Sequence, residues 1–237
     1  DLITVQIVEN ECSDNIAPVN LPLDIAYEDD DIIVINKPFD MPAHPSAGNH
    51  DNTLANALMY YYGSQNKPFV YRCINRLDRD TTGLTIVAKH ALAGGILGNA
   101  VAKRAIHRTY YAVCSGCTPA CMRISAPIAR KDASTIERCV DFKRGENAVT
   151  DFIRIKYNPD NNLSLVKLRL LTGRTHQIRV HMKYIGFPLI GDFLYNPDYT
   201  YISRQALHSG RLVFTHPVTG QKMNLISDIP SDMKSLF

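Results

Sequence analysis

Apolar and polar residues alternate in short runs along most of this chain, and helical spacing takes over at only a few places. The opening "DLITVQIVEN" alternates at every second position and predicts a short strand. "ECSDNIAPVNLPL" is rich in Pro, Asn and Asp and reads as a linker. "DIAYEDDDIIVINKP" predicts two short strands around an acidic hairpin, Glu28 to Asp31, with Pro38 ending the second. "FDMPAHPSAGNHDN" then reads as a loop carrying His44 and His50. In "TLANALMYYYG", Leu54, Leu58 and Tyr61 share a helical face, and Gly63 can stop the helix.

"GLTIVAKH" predicts a strand, with Leu84, Ile86 and Ala88 on one face. "HALAGGILGNAVAKRAI" predicts a helix weakened by Gly94, Gly95 and Gly98. "RTYYAVCSG" predicts a strand that sends Tyr110 and Tyr111 to opposite faces. "NLSLVKLRLLTG" predicts another. "RTHQIRVHMKYIG" has helical spacing, with Thr172 or Thr175 able to cap it and Gly186 closing it. The remainder predicts strands around a Pro-Val-Thr-Gly turn, then a short tail. Many short strands with few helices, and no regular strand-helix alternation, predict an α+β fold with mostly antiparallel sheet.

Composition narrows the classes further. The chain has 237 residues, 45% of them hydrophobic, enough for a sizeable core. No run of 18 apolar residues occurs, so no membrane span is predicted. Its formal charge of +3 selects no partner by itself. The six cysteines form no evident disulfide framework, which favours a reducing, cytoplasmic setting.

Three polar clusters could carry chemistry. In "RLDRDTTG", Asp78 and Asp80 point the same way if the segment is extended, as acid-base work or a metal would require. Arg76 and Arg79 are interleaved, so ion pairing is also available, and from charge alone a solvated polar loop before a core strand is the favoured reading. "LTGRTHQIRVHMK" places Arg174, His176 and Arg179 around a helix start, suited to phosphate or carboxylate, or else to an amphipathic basic helix burying Ile178, Met182 and Ile185. "AKRAIHRTYYAV" sets Lys103, Arg104 and Arg108 beside two tyrosines, which can stack on a base or fill a strand. "CSGCTPAC" offers half of a zinc signal, and His176 with His181 matches no zinc spacing. No metal site is expected, and no nucleotide-binding glycine motif occurs.

These clusters also carry a resemblance. "NRLDRDTTGLTIVAK" is similar to the RluA-type pseudouridine synthases, whose pattern there is His-Arg-Leu-Asp, two variable residues, Thr-Ser-Gly and an apolar strand. "YEDDDIIVINKPFDMPAHPS", "TYYAVCSG", "LLTGRTHQIRVHM", "GFPLIGDFLY" and "RQALHS" resemble further family segments in the right order. Together they cover roughly residues 22 to 225.

The resemblance implies an isomerase that turns uridine into pseudouridine within RNA without cofactor, metal or nucleotide triphosphate. It implies Asp78 as the essential carboxylate, by attack at carbon 1′ or by a glycal route. It implies Arg179 as that carboxylate's partner, and Tyr110 as the ring that stacks on uracil and moves a proton. Ile178 would pack beside the base, and Arg76 would hold RNA around an extruded nucleotide. Lys37 and the His44 loop would line the RNA approach, with Lys103, Arg104, Arg108, Arg174 and Arg211 as phosphate contacts. Asp80 becomes a supporting residue.

Asn75 and Thr82 depart from the family's usual histidine and serine, and Arg108 stands where many members have lysine. Residues 1–21 resemble the end of a small S4-like RNA-binding domain, and 22–237 the catalytic domain. The expected partner is structured RNA, ribosomal before transfer RNA, acted on by a monomer. The alternatives are an inactive RNA-binding or ribosome-assembly protein of the same fold, and a metal hydrolase using Asp78 and Asp80.

Overall fold

The computed structural model describes residues 9–46, 48–132 and 136–237. The strand expected over residues 1–10 falls almost wholly outside them. The chain forms two compact units. One runs to Ile106 and also holds Phe214–Leu225; the other comprises His107–Val213 and Ile226–Phe237.

In the first unit, β1 (Ile25–Glu28) and β2 (Ile32–Lys37) form the expected acidic hairpin. Asp29 makes its turn by accepting the N–H groups of Asp31 and Ile32, both at 2.9 Å. Helix α1 (Leu54–Gly63) starts at Thr53 in a reciprocal cap with Asn56. It buries Leu54, Leu58 and Tyr62 against Ile33, Ile35, Phe69 and Val87. Each such side chain contributes roughly 1.5–3 kcal/mol. The expected face holds, except that Tyr62 rather than Tyr61 is its most deeply buried ring.

After β3 (Arg72–Cys73) comes β4 (Thr82–Ala88), buried along its whole length; β2 pairs with it from Gly83 on and β3 with its last two residues. Lys37, the last residue of β2, lies opposite Gly83. Helix α2 (Ala91–Ala102) buries only Ala93 and Leu97. Its cap is His90, whose Nδ1 accepts the Ala93 N–H while Nε2 lies 2.8 Å from Asp31.

In the second unit β5 (His107–Ser115) runs antiparallel to β10 (Leu163–Leu170) and β11 (Leu207–Thr215). β9 (Val149–Asn158) pairs with β10, and β6 (Cys121–Ser125) with β9. β7 (Ile128–Arg130) and β8 (Arg138–Val140) form a separate pair. Tyr111 joins a core with Val113, Leu163, Leu165 and Ile190, so Tyr110 takes the opposite face as alternation requires.

Beside Tyr110 the ladder is irregular. Ser209 pairs with Tyr110 and Arg211 with Thr109, so Gly210 is an extra residue. A Cβ on Gly210 would meet the Tyr111 ring at 2.6 Å, so only glycine fits this bulge.

Helix α3 (Gln177–Tyr184) follows β10. Its start corrects the expected cap: neither threonine caps it, and His176 occupies the N-cap in the left-handed region at φ 56° with no capping side-chain bond. His176 therefore precedes the helix, and Arg179 lies within it. The chain leaves this unit through β11, enters β12 (Lys222–Ile226) and ends in α4 (Ser231–Lys234). The expected tail is thus partly structural, because Met233 is buried in the Tyr111 core. No helix among the described residues is long and apolar enough to cross a membrane.

Candidate active site

The Asp78 segment is fixed by two buried polar side chains. Lys37 is 1% exposed. Its ammonium donates to the carbonyls of Pro38 at 2.7 Å and of Met41 and Arg79, both at 2.8 Å. One cation thus ties the Lys-Pro loop to the residue after Asp78. Asn75, 3% exposed, works from the other side. Its Nδ2 donates to the Leu84 carbonyl at 3.2 Å, and its Oδ1 accepts the Ile86 N–H at 2.8 Å. The amide gives one donor and one acceptor of β4 a partner.

Between these anchors, Thr81 N–H donates to the Asp78 carbonyl at 3.1 Å and closes a turn. Leu77 is buried, Asp78 is half-buried and Arg76 is exposed. Arg79 pairs with Asp80 at 3.1 Å and lies 3.7 Å from Asp40. Asp80 is thus engaged by its neighbour.

His44 is exposed, with its ring edge-on to Tyr71 at 5.0 Å. Partial burial and then the nearby Arg76 charge hold its pKa below the ordinary histidine value. Tyr71 donates to the Ala43 carbonyl at 2.7 Å and so steadies the loop.

The Arg179 segment is fixed by a longer network. Gln177 is buried, and its Oε1 accepts from the Thr172 hydroxyl at 2.7 Å and from Arg174 N–H at 3.0 Å. Its Nε2 donates to the Val149 carbonyl and the Thr150 hydroxyl, both at 3.0 Å. Thr150 lies 2.9 Å from His181 Nδ1, and His181 Nε2 lies 2.9 Å from the Ala126 carbonyl. A carbonyl only accepts, so Nε2 carries the proton and Nδ1 accepts from Thr150. Burial lowers the His181 pKa, consistent with that neutral ring.

Arg179 is itself 2% exposed. Its Nε and Nη2 donate to Asp192 at 2.7 and 2.8 Å, a bidentate pair. Its guanidinium carbon lies 5.4 Å from the Phe193 ring centre and 5.0 Å from that of Tyr195. Asp192 is fully buried and also accepts the N–H groups of Leu194 and Tyr195, at 3.1 and 3.2 Å. Gly191 precedes it at φ 66°, where a Cβ would lie 2.1 Å from the Arg204 carbonyl oxygen. Tyr195 is braced at its hydroxyl by Arg138 N–H and His176 Nδ1, both at 2.9 Å, and burial raises its pKa to about 12.

Tyr110 is buried on β5 between Leu168 and Ser209. Arg108, two residues earlier on the same face, lays its guanidinium beside Gly173, 3.1 Å from where a Cβ would stand. Arg174 is exposed and pairs with the exposed Glu146.

His181 and His216 are committed to hydrogen bonds within the fold. Both His181 nitrogens are bonded. Asp29, Asp31 and His216 lie close enough to share an ion. However, His216 Nδ1 accepts the N–H groups of Val218 and Thr219, so Nε2 bears the proton it directs at Asp29, 2.9 Å away. That tautomer holds a hairpin rather than a cation. Cys114 is buried, Cys117 and Cys121 are exposed, and all are unbridged.

The RNA pseudouridylate synthase family model matches residues 31–184. The RNA pseudouridine synthase YjbO of Bacillus subtilis is 41% identical over 239 residues, covering 100% of this chain and 83% of that protein. Ribosomal large subunit pseudouridine synthase D of Haemophilus influenzae is 41% identical, covering 98% and 75%. The chain belongs to the RNA pseudouridylate synthase family. It is an isomerase with an α+β fold. The solved human RNA pseudouridylate synthase domain containing 1 has a TM-score of 0.73 and 26% identity, over 87% of this chain and 83% of that one.

For this synthase, the residues singled out by sequence divide between the units. Lys37, His44, Arg76 and Asp78 belong to the first; Arg108, Tyr110, Arg174, Ile178 and Arg179 belong to the second. One role needs correction. Lys37 does not line a surface: its ammonium is consumed inside the fold, binding three carbonyls. Ile178 is buried at the start of α3. Sequence reasoning missed Asp192, Gln177 and the anchoring role of Asn75. Asp192 had one available signal, its place in "GFPLIGDFLY", where the glycines drew notice and the carboxylate did not.

Proposed function

We propose that this synthase converts specific uridines of large-subunit ribosomal RNA into pseudouridine, with Asp78 as its essential carboxylate. The observation that carries the residue assignment is the pinned Asp78 turn: Lys37 and Asn75 immobilise the backbone while the carboxylate stays half-exposed, as a group that must meet substrate requires. The name of the Haemophilus relative, shared by a Zymomonas mobilis relative 38% identical over 93% of this chain, supports the ribosomal target.

The isomerisation breaks the N1–C1′ bond, turns the uracil and forms the C5–C1′ bond. The proton on C5 is lost and N1 gains one, so no redox partner or co-substrate enters the balance. Asp78 acts ionised. Arg179 supplies a guanidinium to the reaction. Tyr110 offers an aromatic face for uracil and a hydroxyl for the proton. Arg76 and His44 meet the RNA around the extruded nucleotide, with Arg108 and Arg174 on phosphates. The catalytic body is residues 22–237, acting as a cytoplasmic monomer, with residues 1–21 belonging to an S4-like element.

The test is site-resolved pseudouridine mapping of total RNA from cells lacking the gene, complemented with the wild-type chain or Asp78→Ala. A few uridines of large-subunit RNA lose modification and only the wild-type chain restores them. Loss confined to transfer RNA redirects the target. Unchanged levels at every uridine would sink the proposal.

A further inference from the structure

We infer that the sheet of the second unit carries a second RNA surface: a row of basic side chains on the face opposite Tyr110 that binds the phosphate backbone of the substrate away from the target nucleotide. The inference rests on the proposed ribosomal RNA target. Charge is unevenly spread along the chain, which has 26 Lys and Arg against 23 Asp and Glu. Strands β5, β6, β9, β10 and β11 together hold seven Lys and Arg and one acidic residue, Asp151.

Register gathers four of the seven cations on one face. Thr109 lies opposite both Arg211 and Arg169, and Asp151 lies opposite both Arg169 and Arg123. These five residues make one row across five strands, and residues so paired point to one side. Thr109 adjoins Tyr110 in the strand, so the row lies on the other face from Tyr110. Lys167, two residues before Arg169, shares the face of the row. The extra Gly210 is what adds Arg211. Without that bulge Arg211 would fall opposite Arg108, on the Tyr110 face.

The row suits a run of phosphates. Arg123 and Arg169 are exposed, and Lys167 and Arg211 are half-buried. Asp151 accepts from Arg123 Nε and Nη2 at 2.6 and 2.8 Å. The Arg123 hydrogen bonds, and more weakly the Arg169 charge, hold its pKa below the ordinary carboxylate value. That pair is solvent-exposed and contributes little to stability, so phosphate oxygens can compete for Arg123. Successive arginines stand two strands apart, roughly 9–10 Å between backbones, which fits an extended polyanion better than one small anion.

One RNA can reach both faces. Strand β6 pairs only with β9 among the described residues, so it ends the sheet. From Tyr110 on β5 to that edge is three strand spacings, roughly 14–15 Å. A structured RNA with its target nucleotide at Tyr110 can pass round β6 and lay its backbone on the row. The outer contact then adds affinity and leaves the chemical step unchanged.

The experiment measures kcat and KM, and Kd at several KCl concentrations, for an unmodified large-subunit ribosomal RNA transcript. It compares wild type, Arg169→Gln, the triple variant Arg123→Gln/Lys167→Gln/Arg169→Gln, and Asp151→Asn. The triple variant is expected to raise Kd and KM by about 10-fold or more with kcat unchanged, and to lower the salt slope of log Kd by roughly 2–3. Arg169→Gln lowers that slope by about one and carries the test if the triple variant fails to fold. Asp151→Asn removes the acidic group of the row and is expected to tighten binding severalfold. Wild-type Kd and salt slope in the folded triple variant overturn the inference. So does a fall in kcat with Kd kept, or weaker binding by folded Asp151→Asn. A wild-type chain that forms no pseudouridine on this transcript overturns the target reading instead, while the affinity comparison still decides the inference.

Discussion

The Asp78 turn and the Arg179 helix start are both held by buried polar groups, but in different ways. The turn is held through its backbone. Lys37 binds carbonyls and Asn75 binds strand β4, which leaves the Asp78 side chain half-exposed. The helix start is held through side chains, with Gln177, Thr150 and His181 in a chain and Arg179 clamped by Asp192. The Asp78 carboxylate is thus placed through its backbone, and the Arg179 guanidinium is held at its head. The difference predicts that substitutions of the buried anchors cost stability in both places, and that those near Asp78 cost activity beyond it.

The strongest way to break that contrast is Arg179→Ala. It strands the buried Asp192 carboxylate and is expected to cost about 3–5 kcal/mol of unfolding free energy. Urea denaturation reads this directly; a loss below about 1 kcal/mol would contradict the clamp. Lys37→Met comes next. It removes three charge-assisted bonds to the carbonyls of Pro38, Met41 and Arg79, for roughly 2–4 kcal/mol. Here activity should fall further than stability alone explains, because the Asp78 turn loosens.

The pH dependence is smaller and falls in the second unit. Burial lowers the His208 pKa to about 4, from an unfolded value near 6.5. Below about pH 6.5 the unfolded chain binds a proton that the folded chain refuses, so stability present above that value is lost as pH falls toward 4. His208→Gln should flatten this slope in denaturation at pH 7 and pH 5. The smallest effect is expected for Arg174→Ala. Its pair with Glu146 is exposed and contributes less than about 1 kcal/mol. The readout is RNA affinity, with the salt slope reduced by about one counterion.

Much of the fold was legible because its periodicities are clean. The Ile33–Ile35 and Leu84–Ile86 runs and the Leu54–Leu58 helix face are read from spacing alone. The stretch over 121–158 was not read, although it carries β6 to β9. In β9 the outward face shows Ile153 and Ile155, both half exposed, so apolar and polar positions do not mark inside and outside. The start of α3 misled for a related reason: Thr172 and Thr175 look like caps, but Thr172 is bound to Gln177 and the left-handed His176 begins the helix.

At the site, charged residues in one short motif were visible and their partners were not. Asn75 looked like a weakened histidine and proves to be a donor-acceptor match for β4. The resemblance implied that Lys37 lines the RNA approach, and three converging carbonyls draw it inside. Asp192 lies 13 residues from Arg179 in sequence, and no spacing rule pairs them across a turn that only the fold creates.

The most direct test is single-turnover pseudouridine formation on large-subunit ribosomal RNA by Asp78→Ala, with RNA affinity measured in parallel. The account predicts a rate at least about 10³-fold below wild type with affinity largely kept. An Asp78→Ala chain that forms pseudouridine at the wild-type rate would contradict it.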